Sequence, residues 1–173
     1  MTRRITVAIA ATAALGLTAT SVGTAGAQNP RNTITVKGGV EFKAGQYVKD
    51  TLRFTPRRLT VRSGATVRVR DRAREKAPHT VSLVRKRDLP TGFSPRQCPQ
   101  CQPLTEAHQA NEETGEVGIP LVNVGAEGFD RPGDSIFMPP NQRISFRVTA
   151  ARRTNLYYFC VVHPWMQGQI RVR

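Results

Sequence analysis

Period-two alternation constrains this chain more than any other feature. Apolar and polar residues take turns in Thr33-Ile34-Thr35-Val36, in Leu59-Thr60-Val61-Arg62 and, after a Ser63-Gly64 turn, in Ala65-Thr66-Val67-Arg68-Val69-Arg70. The pattern returns in His79-Thr80-Val81-Ser82-Leu83-Val84, in Ser135 to Met138, in Ile144 to Val148, in Leu156 to Cys160 and in Gln169 to Arg173. Successive side chains of a strand point to opposite faces, so such runs read as half-buried strands. Gly, Pro and Asn between them supply turns. Many short strands at close spacing predict an all-β chain, a β-sandwich or barrel. Val67, Val69, Phe146, Ile170 and Val172 are expected inside, with Arg68, Arg70, Arg147, Arg171 and Arg173 outside.

Two stretches stand apart. Residues 1–27 open with Arg3-Arg4, continue through an Ala/Thr-rich apolar run and end on Ala25-Gly26-Ala27. Charged start, apolar centre and small-residue end are the parts of a secretory signal peptide. An exported protein is therefore expected: periplasmic, envelope or extracellular. The apolar run is too short and too rich in Ala and Thr for a membrane span, so no integral membrane span is expected. The remaining residues, 28–173, make one domain. Within it, residues 85–132 break the rhythm with repeated Pro and Gly, and are expected to form an ordered excursion from the sandwich. Leu104 to Glu116 is its one helical candidate.

The chemistry is concentrated near the C-terminus. Tyr158-Phe159-Cys160-Val161-Val162-His163-Pro164-Trp165-Met166 holds three candidate ligands in seven residues, in a chain with three Cys, three His and three Met. Thiolate and thioether are soft donors and imidazole suits copper. Two His and one Cys with a weak axial Met is the blue-copper set. The second imidazole it needs is expected from His79, which follows Pro78 and opens a strand.

These motifs resemble the cupredoxin family of small blue copper proteins (plastocyanin/amicyanin-like), and the short Cys160-x2-His163-Pro164-Trp165-Met166 loop looks most like that of the amicyanins, the plastocyanins having a longer His-to-Met spacing. Phe54-x-Pro56-x2-Leu59-Thr60-Val61-x2-Gly64-x2-Val67, Pro78-His79-Thr80-Val81 and Tyr158-x-Cys160 are similar to the family's strands and first-ligand segment. The resemblance covers residues 47–84 and 133–173 and leaves the excursion unmatched. It implies a Greek-key β-sandwich holding one copper per chain. Its ligands would be His79, Cys160, His163 and Met166, with electrons passing through the edge of His163. Pro78, Pro164 and Trp165 would form an apolar rim there. Asp71 stands where the family has an Asn that ties the two ligand segments together. An ionised carboxylate accepts but cannot donate.

Cys98 and Cys101 leave three readings open. A disulfide suits an exported chain. A second metal site would add His108. A redox-active dithiol would use the C-x-x-C spacing. The net charge of +14, carried mostly by Arg on outer strand faces, suits either a solvated surface or the docking of an acidic redox partner. Three function classes follow. An electron carrier, monomeric and without a nucleic-acid partner, is expected first. A copper-binding or delivery protein of the envelope is the alternative. An enzyme is disfavoured, because the chain has a single domain and no His-x-His pair.

Overall fold

Every alternating run is a strand. The computed structural model describes residues 32–92, 94, 97–111 and 113–173; the expected leader, 1–27, lies outside them. In chain order the strands are β1 (Thr33–Lys37), β2 (Val40–Lys43), β3 (Tyr47–Asp50), β4 (Arg53–Thr55), β5 (Arg58–Val61), β6 (Thr66–Asp71) and β7 (His79–Val84). Helix α1 (Cys101–Ala107) follows, then β8 (Leu121–Val122), β9 (Ser135–Met138), β10 (Arg143–Arg147), β11 (Asn155–Phe159) and β12 (Gln167–Val172). The helix begins earlier and is shorter than the segment expected from sequence, Leu104 to Glu116.

Two sheets form the sandwich. One has the order β10-β6-β1-β4, the other β5-β12-β11-β7-β9-β8. Neighbours in space are seldom neighbours in sequence, so the chain crosses repeatedly between layers. The alternating apolar residues meet between the sheets. Ile34, Val36, Phe54, Val67, Val69 and Phe146 come from the first, and Leu59, Val61, Val81, Leu83, Tyr158, Ile170 and Val172 from the second. The Phe54 and Tyr158 rings touch edge to face at 5.1 Å and link the layers. Such aromatic pairs add to the burial itself, about 1 kcal/mol. Gly168 is required here: a Cβ on it would stand 2.3 Å from the Tyr158 ring.

Strands β7 and β9 depart from simple alternation, because every residue in them is buried. The excursion is the cause. It packs Cys98, Cys101 and Leu104 against Val84, Phe159 and Val161, making a second small core on the outer face of the larger sheet. Thr80, Ser82 and Ser135, polar residues suited to an outer face, are thereby buried. Strands β2 and β3 pair into a ribbon of exposed residues. The sequence signal for it, Val40-Glu41-Phe42-Lys43 before a Gly45 turn, is plain alternation that was not among the expected strands.

Candidate metal centre

His79 opens β7 and Cys160 directly follows β11, two strands that are paired neighbours. This pairing brings together residues 81 apart in sequence. The loop after Cys160 closes tightly. Met166 N–H donates to the His163 carbonyl at 2.8 Å, and Cys160 N–H donates to the Met166 carbonyl at 2.9 Å. Those two bonds fold His163 back toward the sulfur.

The three side chains converge. Cys160 Sγ lies 4.0 Å from His79 Nδ1 and 3.7 Å from His163 Nδ1. All three ligand atoms are within 4.8 Å of one another. A first-row ion with bonds of about 2.0 Å to nitrogen and 2.3 Å to sulfur, spread trigonally, needs an N···S separation of about 3.8 Å. The residues present therefore fit a single metal ion. Met166, 1% exposed, packs in the same core cluster as Cys160.

The electrostatics of the site also favour an ion. Burial pushes the Cys160 thiol up, against the pull of hydrogen bonds from Thr80, His163 and Val162. Burial also lowers His79 to about 4, helped by His163 and opposed by Asp71 and Asp50. His163 is lowered by burial and partly restored by Asp50 and Glu75. Two neutral imidazoles and a thiol are thus held dry and close, and a cation replacing the thiol proton gains all three donors. His163 is only half-buried, while His79 and Cys160 are closed off.

The expected neighbours divide. Trp165 packs against the main core and meets the His163 ring at 5.3 Å, edge to face. Pro164 is buried, whereas Pro78 is partly exposed. Asp71 does not tie the ligand segments together. Its carboxylate accepts Ala73 N–H at 2.9 Å and Asn141 N–H at 2.8 Å, and stands 3.9 Å from His79 Nε2. The reason is position: Asp71 ends β6, in the opposite sheet from β7. The tie is made by Thr80, which sequence reasoning missed. Its N–H donates to Cys160 Sγ at 3.3 Å and its hydroxyl oxygen accepts Val161 N–H at 2.8 Å. A hydroxyl beside the first candidate ligand was the available signal.

Cys98 and Cys101 form a disulfide at the start of α1. The second-metal reading fails there, because both cysteines are bonded to each other and both His108 nitrogens are engaged by Ile119 and Ser135. The disulfide sits against the ligand loop, with Cys101 Sγ 3.4 Å from the Val161 carbonyl.

No protein-family model matches the sequence, and no curated protein matches it. Similar solved structures are cupredoxins. A purple cupredoxin from Nitrosopumilus maritimus is 15% identical, with 82% of this chain and 98% of that one covered and a TM-score of 0.44. Auracyanin A, a blue copper protein from Chloroflexus aurantiacus, is 20% identical over 82% and 99% of the two chains, with a TM-score of 0.40. A copper(I) amicyanin variant is 15% identical over 80% and 82%, with a TM-score of 0.38. At such identities and scores the likeness carries no weight on function, which rests on the site itself.

Proposed function

We propose that this protein is a mononuclear type 1 copper protein and an exported electron carrier, not an enzyme. The observation that carries the reading is the buried Nδ1–Sγ–Nδ1 triangle, with edges of 4.0 and 3.7 Å to the sulfur. His79, Cys160 and His163 would hold the copper, with Met166 beside them as a further, weak thioether donor. When bound, copper supplies a one-electron couple. The protein's contribution is to fix the donors before any electron arrives. His79 is fixed by its strand, Cys160 by the Thr80 N–H and His163 by the closed loop. Fixed donors need little rearrangement between oxidation states. The half-buried His163 edge is the route by which a partner's orbitals approach the site.

Burial of His79 and Cys160, at 1% and 0% exposure, suits retention of the ion better than its exchange. That favours a carrier over a delivery protein. The partner is expected to be a redox protein with acidic residues, met by the excess of Arg. No helix among the described residues is long and apolar enough to cross a membrane. The test is to load the protein with Cu(II) and record its visible spectrum beside that of Cys160→Ser. An intense thiolate-to-copper band present only in the parent protein supports the proposal. A parent protein without the band ends it.

A further inference from the structure

The four-stranded sheet, β10-β6-β1-β4, turns Ile34, Val36, Phe54, Val67, Val69 and Phe146 to the core. The alternate positions face outward. They carry Lys37, Arg53, Arg68, Arg70, Arg143 and Arg147, with Ser or Thr at every remaining place. No acidic and no apolar side chain interrupts them. Asp71, at the end of β6, turns the other way, toward His79.

The strand register makes this arrangement costly. Arg143 stands directly opposite Arg70, and Lys37 directly opposite Arg53. Like charges in opposed positions destabilise a sheet, and opposite charges stabilise it. The chain uses the favourable pairing elsewhere: in the β2–β3 ribbon Glu41 stands opposite Lys49. A face that needed only to be wetted could carry the same mixture. Nor does a carboxylate reach in from another element. None of the six cations is in an ion pair among the described residues. Arg70, on the inner strand β6, is half-buried, and its Nε is closed off from solvent without a hydrogen-bond partner. Buried donors in folded proteins are normally satisfied.

A partner for this face must bring several negative charges at once. Guanidinium forks match carboxylates closely. A folded protein partner would seat an aromatic or aliphatic anchor at the centre of its contact, where charge is scarce. This face offers none. It also lacks the apolar edge that an interfacial protein sinks into a membrane. The Ser and Thr hydroxyls between the cations both donate and accept. They suit a chain that bears hydroxyls as well as anions.

We infer that the outer face of the four-stranded sheet binds an acidic polysaccharide. Arg68, Arg70, Arg143 and Arg147 take its carboxylates, and the Ser and Thr between them take its hydroxyls. His79 opens β7 and Cys160 follows β11, both in the other sheet. The polymer therefore lies on the layer that does not carry the metal ligands, and the inference does not depend on the copper reading.

The test uses polygalacturonate, a carboxylated polysaccharide, with dextran and polyglutamate beside it. In calorimetry at low salt, polygalacturonate binds and uncharged dextran does not. Polyglutamate, which has carboxylates but no hydroxyls, binds more weakly. Added salt weakens the binding. NMR shifts on binding fall in β1, β6 and β10 and not in β11 or β12. Arg143→Glu is the decisive variant, because it sets opposite charges in register with Arg70. Its urea midpoint rises while its affinity for polygalacturonate falls about tenfold. Arg143→Thr, a residue type already on this face, serves if Arg143→Glu fails to fold, and also binds more weakly. An unchanged affinity in these variants, or shifts confined to β11 and β12, overturns the inference. Polyglutamate bound as tightly as polygalacturonate, or phosphatidylglycerol vesicles bound in preference to it, does the same. Each readout is made with and without copper, so loss of the blue band leaves this inference standing.

Discussion

The ligand loop and the excursion lie against each other yet are built in opposite ways. Residues 160–166 close on themselves through two backbone bonds, and three ligand types sit at a spacing of three. The excursion, 85–132, owes its place to distant contacts: Gln167 Nε2 donates to the Pro90 carbonyl at 2.6 Å, and Cys101 Sγ reaches Val161. The loop is thus encoded locally and the excursion by what it covers. The chemistry is set by the first and its surroundings by the second.

The comparison can be broken at several points. Gly168→Ala has the largest expected effect. Its Cβ would meet the buried Tyr158 ring at 2.3 Å beside the loop, so urea unfolding should show a loss of about 3 kcal/mol. Little or no loss would mean that the loop strand is less tightly seated than its packing implies.

Acid comes next. His79 is lowered from 6.5 to about 4 in the folded protein, so the unfolded chain binds the extra proton between those values. Metal-free protein should therefore be most stable above about pH 6.5 and lose about 3 kcal/mol as pH falls to 4. Copper loading should steepen that slope, because the folded copper form holds His79 and Cys160 without protons while the unfolded chain, having released the metal, takes up a proton at each. Equal slopes with and without copper would mean that no thiol proton is displaced and would exclude Cys160 as a ligand.

Cys98→Ser with Cys101→Ser should act on the excursion and spare the sandwich. Closing so short a loop accounts for about 2 kcal/mol. Hydrogen exchange should quicken in α1 and stay unchanged in β1 and β6. Quickening throughout would show that excursion and sandwich unfold together. The smallest effect is expected at Phe42→Ser in the β2–β3 ribbon, where 71% of the residue is exposed. Thermal unfolding should shift by no more than about 0.5 kcal/mol.

How legible the molecule was in its sequence follows from the same contrast. Strands were legible because burying one face imposes a period of two, and Cys160, His163 and Met166 because one turn gathers them. His79 was found as the imidazole such a site needs, and strand pairing then placed it against Cys160. The full burial of Thr80, Ser82 and Ser135 was not legible, since alternation assigns them to an outer face and only the excursion covers it. Asp71 stands beside the site, 3.9 Å from His79 Nε2, while the bonds between the ligand segments are made by Thr80.

The central claim is a single copper held by two imidazoles and one thiolate. X-ray absorption at the copper edge, on protein loaded with one equivalent of Cu(II), tests it most directly. Two nitrogens at about 2.0 Å and one short sulfur at about 2.2 Å are predicted, with the sulfur missing in Cys160→Ser. A shell of nitrogen and oxygen alone in the parent protein would contradict it.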